Sequence, residues 1–552
     1  MNQFLKKNRA LALVAVAQGA ICFIAATSPA EGLAQVATGR VTAPAASLPN
    51  LGDGSDMTPG SERTLGDRIA RELYRDADYV DDAVLMEYVQ GIWQPLLAAA
   101  RQSGDLSPEL DEAYAWEILL GRDRSVNAFA LPGAYFGLHL GLIGVVSSRD
   151  ELASVMAHEL SHVTQRHIAR MMTRQSQQAP WLLGAMVLGI LAASKNPGAA
   201  NAMIVGGQAV GAQSQLNFSR DMEREADRVG FGVAGQAGFA PQGFVSMFAK
   251  LQQSSRLNDS DNFPYLRSHP LSTERMADMQ SRIDQADGEP SDRPSSRKNL
   301  QEMDHAMVSA RARVLSNSAV GALRNWATEV EPASMGRMSA AQQAGALYGA
   351  VLAAVRFRDY PQAQALWRRL NERVRSDAAA ERLAHLLGVE LLLAQGDSAG
   401  AIRLLGDTGA TPDTRGRAVL FLEAQAWVQA TSTDAAEATD ARTNPKDAKA
   451  TSGLARSIQN LQTWVANNPR DAQAWQLLAS AYAAQGRTLS SIRAQAEVNV
   501  AQLDYSAALS RFKTAQDWAR KNGAGTDHYE ASIVDTRTRQ VELLVREQAL
   551  ER

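Results

Sequence analysis

Cysteine is nearly missing from this 552-residue chain: the single copy, Cys22, lies in an apolar run close to the start. That run, Ala10 to Ala26, follows Lys6, Lys7 and Arg9 and precedes small residues suited to cleavage after Ala30 or Ala34. The pattern reads as a secretory signal peptide over residues 1–34; the run is short and Ala-rich for an uncleaved spanning anchor. Cys22 also lacks the Leu three residues upstream that a lipoprotein signal carries. After cleavage no cysteine is left, so the chain is indifferent to an oxidising compartment. A charge imbalance is missing too: 56 basic residues face 59 acidic ones, which offers nothing to a nucleic acid. Long apolar runs are equally scarce. The strongest, Trp181 to Ala193, has thirteen residues and cannot span a bilayer as a helix. With Ala199 to Val210 it forms two short apolar stretches around Lys195, Asn196, Pro197 and Gly198. Either they are a buried hairpin or flap, or residues 181–210 make a peripheral membrane contact, against which the lack of a basic face argues.

What the sequence does contain is enough length for two or three domains and an ordinary globular balance of 45% apolar and 21% charged residues. Residues 35–62 are rich in Ala, Pro, Gly, Thr and Ser without a period and read as a flexible lead-in. Helical spacing begins with Leu65, Ile69, Leu73 and Tyr74 and resumes from Asp81 to about Arg101. Between Ser125 and Ser147, β-formers punctuated by Pro132, Gly133, Gly137 and Gly141 predict short strands and turns rather than helix. The stretch from Asn127 to Gly133, with Asn127, Ala128, Phe129, Ala130 and Leu131, is the candidate edge on which an extended peptide could pair by backbone hydrogen bonds. His139 in the same region reads as structural.

From Glu151 to Arg170 no Gly or Pro intervenes, and Leu152, Val155, Met156, Leu160 and Val163 recur at helical spacing. Inside it lies His158-Glu159-Leu160-Ser161-His162, an HExxH. Residues four apart share a helix face, so His158 and His162 can point both imidazoles at one Zn²⁺. Glu159, one step round, can reach water at the metal without being a ligand, the place of a general base. Five residues alone do not decide; a third ligand does. Asn217 to Gly230 carries Asp221, Glu223, Glu225 and Asp227. On a helix Glu223 and Asp227 face the same way, so one carboxylate can bind zinc while the other accepts a ligand histidine's ring N–H. Glu225, Arg224 and Arg228 read as a solvated face.

Together, His158-Glu159-xx-His162 and Ser219-Arg220-xx-Glu223-xx-Ala226-Asp227 resemble the HtpX/BepA-type zinc metallopeptidases. Asn127 to Gly133 and Ser268-His269-Pro270-Leu271-Ser272-Thr273-Glu274-Arg275 resemble the same family, over roughly Arg63 to Arg282. The resemblance implies a gluzincin with one Zn²⁺ per chain on His158, His162 and Glu223, Glu159 as catalytic base and Asp227 behind a ligand. It also implies that His269 can fill the open zinc position and hold the enzyme latent; the other reading is a loop histidine before Pro270. The expected fold is mainly α: an α+β zincin-type metallopeptidase domain over residues 63–284, then an α-helical tetratricopeptide-like repeat domain.

The polar stretch with Gly288, Pro290, Ser291 and Pro294 opens a linker and connecting helix over 285–340. Repeats are expected over 341–552, because a helix, a tight turn with Asp and a helix opening with Ala recur, as at Arg358-Asp359-Tyr360 and Gly396-Asp397. Residues 430–452, rich in Ala, Thr, Asp and Lys, read as a low-complexity insert. Stacked helix pairs make concave surfaces for peptides or proteins. The closest branch of the family by resemblance is exported and repeat-bearing, which implies a periplasmic enzyme, membrane-associated if residues 181–210 touch lipid. It would act on misfolded or stalled envelope proteins, with repeats engaging these substrates or the outer-membrane β-barrel assembly machinery. The competing expectation is a chaperone or scaffold whose zinc site is structural or held shut.

Overall fold

In the computed structural model, residues 57–174, 220–256, 263–287, 302–406, 416–437, 445–523 and 527–550 are described. The expected signal peptide 1–34, most of the lead-in 35–62, the segment 181–210 and residues 288–301 of the expected 285–340 linker and connecting helix lie outside them.

The first helix, Pro59–Tyr74, starts earlier than the loose composition of 35–62 led us to expect. Thr58 caps it by accepting from Ser61 N–H, and Pro59 fills a first-turn position that needs no amide donor. The second, Ala83–Ser103, is capped by Asp82 and ends at Gly104, whose φ of 79° is the left-handed C-terminal stop.

A four-stranded sheet follows: β1 (Tyr79–Val80), β2 (Glu117–Gly121), β3 (Ala128–Leu131) and β4 (Tyr135–His139), in the order β1-β2-β4-β3. β2 and β4 run parallel, while β3 pairs antiparallel with β4, Ala128 opposite Leu138 and Leu131 opposite Tyr135. β3 is thus an edge strand. Gly137 is required beneath it, since a Cβ there would sit 2.0 Å from the Phe129 ring. One expectation fails in this region: Leu140–Val145 is helical, not strand or turn. Leu140, Leu142 and Ile143 are buried, and Gly141 lets the helix lie against the backbone of Arg124, where a Cβ would come within 2.0 Å of the carbonyl oxygen.

The helix that carries the HExxH, Arg149–Thr164, is capped by Ser148 and buried from Glu151 to Thr164. It stops short of Arg170 because Arg166 adopts φ 53°, and a new helix, His167–Arg174, starts at once. The acidic helix, Arg220–Gln236, packs on it through Met222, Glu223, Ala226, Asp227 and Gly230. At Gly230 a Cβ would lie only 3.1 Å from the backbone of Ala157 and His158, so glycine brings the two backbones together beside the motif.

From Met303 onward the described regular structure is entirely helical. Successive helices form hairpins, such as Ala340–Arg356 with Tyr360–Val374 and Ala472–Ala484 with Thr488–Ala501. The recurring Asp has a physical use. Asp359, Asp377, Asp397, Asp471 and Asp504 each accept from an amide in the first turn of the following helix. Before three of them, Arg358, Gly396 and Leu503 take left-handed φ values of 60°, 84° and 61° and end the preceding helix. The helices Arg417–Glu437 and Pro445–Asn467 run into the two ends of the expected insert at 430–452, whose residues 438–444 lie outside the described residues.

Residues 54–552 form one compact unit. A single apolar core reaches from Val84 through Phe136, Leu152, Leu347 and Leu387 to Ala426, so the α+β region and the first helix hairpins share it. Buried ions bind the same parts. Arg311 forms paired hydrogen bonds to Asp82 (2.8 Å) and to Glu390 (2.7 and 3.0 Å), and Arg417 bridges Asp471 and Asp81.

Candidate metal centre

Helical spacing puts His158 and His162 on one face of the helix Arg149–Thr164, and the acidic helix brings Glu223 to them. Their Nε2 atoms are 3.0 Å apart, and each lies 3.5 Å from a Glu223 oxygen. His269 arrives from the loop after the short helix Tyr265–Ser268, its ring stacked on Tyr265. Its Nδ1 is 3.4 Å from His158 Nε2 and 3.1 Å from Glu223 Oε1. These four residues, none more than 3% exposed, offer ligand atoms that all lie within 4.8 Å of one another. A tetrahedral Zn²⁺ with Zn–N near 2.05 Å needs ligand atoms about 3.3 Å apart. The donor set fits. Glu223 Oε2 adds a further sign: it is buried and accepts no hydrogen bond, although Arg275 Nη1 stands 2.9 Å away.

The surroundings fix the candidate ligands. Asp227 Oδ1 lies 3.0 Å from His158 Nδ1, so the carboxylate can take that ring's N–H and leave Nε2 as a lone pair. Arg275 in turn grips Asp227 through Nε (2.6 Å) and Nη2 (2.8 Å). On the other candidate ligand, His162 Nδ1 is 2.8 Å from His167 Nδ1, and His167 Nε2 is 3.1 Å from Glu225 Oε2.

Charge follows this geometry. Burial opposes ionisation of Glu223, but His269 and His158 outweigh it and hold the carboxyl well below its ordinary value. Burial likewise opposes a charged His158, yet its bonds to Asp227 and Glu223 push it up to about 10. Burial and the neighbouring His158 keep His162 well below the usual imidazole value. Two anionic carboxylates therefore surround the imidazoles, an environment that favours a cation at their centre.

Glu159 lies one position further round the helix, beside the cluster. Its Oε2 accepts the Ala130 N–H of β3 at 3.1 Å, and its buried Oε1 accepts no hydrogen bond, with His269 Nε2 3.4 Å distant. Burial raises its pKa. The structure therefore brings together His158, Glu159, His162, Glu223, Asp227 and His269, with Ala128 to Leu131 alongside. His139 stays apart, bonded to Ser125 Oγ at 2.9 Å. The partners of Arg275, His167 and Glu225 left no sign in the sequence. Arg275 reaches Asp227 from a later helix, a relation no local spacing reveals, and Glu225, read there as a solvated face, is paired with His167 and Arg170.

Residues 89–283 match the model of peptidase family M48. The chain is 36% identical over 240 residues to a putative beta-barrel assembly-enhancing protease of Vibrio cholerae, covering 43% of this chain and 48% of that protein. It is 28% identical over 495 residues to the beta-barrel assembly-enhancing protease of Escherichia coli, covering 88% of this chain and 90% of that protein. To the mitochondrial metalloendopeptidase OMA1 of Saccharomyces cerevisiae it is 27% identical over 196 residues, 35% of this chain and 54% of that one. The chain thus spans about half the length of the first and third of these relatives and nearly all of the second.

Proposed function

We propose that this chain, whose residues 89–283 match the model of peptidase family M48, is a zinc metalloprotease in which His158, His162 and Glu223 hold the zinc and Glu159 is the general base of an endopeptidase. The observation that carries the assignment is the buried convergence of His158, His162 and Glu223 beside a carboxylate oxygen, Glu159 Oε1, that accepts no hydrogen bond. Bound zinc supplies Lewis acidity that polarises a peptide carbonyl and acidifies water. Asp227 orients His158. Glu159 takes the proton of the attacking water and delivers it to the leaving amide nitrogen.

β3 supports an extended substrate. His139 N–H bonds to Asn127 C=O, so by antiparallel alternation Phe129 and Gly137 are hydrogen-bonded across the ladder while Ala128 and Ala130 turn their backbone groups to the free edge. The Ala130 N–H that meets Glu159 agrees. A peptide pairing there is held by its backbone, which gives little side-chain selectivity and suits unfolded or misassembled protein substrates. The names of the Vibrio and Escherichia relatives, beta-barrel assembly-enhancing proteases, support a role in β-barrel assembly, for which the N-terminal signal-like sequence suits an exported, periplasmic enzyme. In that setting the repeats engage stalled envelope proteins or outer-membrane β-barrel assembly proteins. No described helix is long and apolar enough to cross a membrane. Casein digestion by the purified chain is expected to vanish on chelation and return with added Zn²⁺; digestion that survives chelation contradicts this function.

His269 favours a second state of the same site. With Nδ1 in the ligand cluster and Nε2 toward Glu159, it stands where an open coordination position is needed and keeps the enzyme shut. His269→Ala is expected to raise casein cleavage. Unchanged cleavage with an unchanged zinc environment contradicts the latch, and a chaperone or scaffold role for the shut form is tested by comparing both activities in this variant.

A further inference from the structure

We propose that His167, backed by Glu225, is a positioning residue for the zinc ligand His162, which is fixed by a second histidine where His158 has a carboxylate. The inference rests on the ligand assignment above.

The argument starts with the two facing Nδ1 atoms. His162 turns Nε2 toward His158 and Glu223, so to bind a metal through that atom as a neutral imidazole it must carry its proton on Nδ1. The atom 2.8 Å from that nitrogen is His167 Nδ1, which is then the acceptor of its proton. His167 accepts only if its own proton is on Nε2, and Nε2 faces Glu225 Oε2 at 3.1 Å. Arg170 Nη1 donates to the same oxygen at 2.8 Å and holds the carboxylate in place. Each donor has an acceptor in the order His162, His167, Glu225, and only one tautomer of each ring satisfies both contacts. His167 is fully buried, whereas the Glu225 side chain is 28% exposed.

The chain path supports the same conclusion. On a continuous helix, five residues turn by about 140°, so residue 167 would face away from residue 162. The break at Arg166 changes that. Its φ of 53° is a conformation that a non-glycine residue rarely adopts, and it swings the next helix so that its first residue meets His162. Arg166 is held in that bend: Nη2 donates to the Met57 carbonyl and lies 3.6 Å from the buried Glu62 carboxylate. The bend thus sits where His167 must be delivered, and it is anchored to the first helix.

The test measures zinc affinity by competition with a chromophoric chelator, and the visible spectrum of the Co²⁺-substituted protein, using the full chain. His167→Phe keeps a ring but removes the acceptor and is expected to weaken zinc binding 10- to 100-fold, the usual cost of losing such a partner. It should also shift the Co²⁺ bands. His167→Asn, which restores an acceptor oxygen, is expected to recover part of the affinity. Glu225→Ala, at a partly exposed site, is expected to give a smaller loss, and decides the matter if His167→Phe does not fold. Wild-type zinc affinity and Co²⁺ spectrum in folded His167→Phe, or in Glu225→Ala where the former is unfolded, overturns the proposal. A wild type that binds no zinc overturns the ligand assignment instead.

Discussion

Glu159→Gln is expected to lower casein hydrolysis by about 10²–10⁴-fold, the contribution of a positioned general base, while leaving zinc content unchanged. The substitution is a close one sterically. The amide oxygen can continue to accept from Ala130 N–H, and the amide nitrogen takes the place of Oε1, the buried oxygen that now accepts nothing. The proton acceptor disappears, and the contacts that hold the side chain remain. Since Glu159 is not among the cluster of ligand atoms, its loss should not release the metal. Activity and zinc content read on the same preparation separate the base from the ligands. Equal digestion by both proteins contradicts the role of Glu159.

The second large effect concerns stability. Arg311→Leu is expected to destabilise the fold by about 3 kcal/mol at neutral pH, the order of cost for removing one partner of a buried ion pair. The loss leaves Asp82 and Glu390, whose side chains are 12% and 20% exposed, without their guanidinium. Asp82 also caps the helix Ala83–Ser103, so the damage reaches the core between the α+β region and the helical hairpins. The pH dependence has a definite sign. In the wild type, burial works against the Asp82 carboxylate, but Arg311 and the cap bonds outweigh it and its pKa is lowered. A depressed acid contributes stability above its unfolded pKa near 3.9, and that contribution is lost as the pH falls through the folded value. Without Arg311, only the Leu85 cap bond and Arg417 still oppose burial, so the folded pKa rises and the protonated form is favoured at higher pH than in the wild type. The variant should therefore regain stability relative to wild type as the pH falls from 7 toward 5. Urea midpoints at both pH values measure this; a pH-independent difference contradicts the account.

The parts of the site that could be read in advance are those governed by helical repetition. His158 and His162 on one helix, and Glu223 and Asp227 on another, share faces because both segments stay helical through the relevant four residues. The Asp-containing turns were legible for the same reason, since capping is a relation across three residues. What escaped depended on departures from repetition or on distant partners. His167 lies beyond a left-handed residue that no periodicity shows, and Arg275 meets Asp227 from 48 residues away. The helix Leu140–Val145 was missed because Gly141 looks like a turn residue. It is there for close backbone contact with Arg124. Arg311, inside an ordinary apolar helix pattern, gives no local sign that Asp82 and Glu390 will meet it.

The most direct test of the ligand assignment is zinc per chain after dialysis, measured by elemental analysis on wild type and Glu223→Ala. The geometry of His158, His162 and Glu223 predicts one zinc per wild-type chain and little in Glu223→Ala, which keeps two histidines but loses the carboxylate that closes the set. A zinc-free wild type, or a Glu223→Ala protein loaded as fully as the wild type, would contradict it.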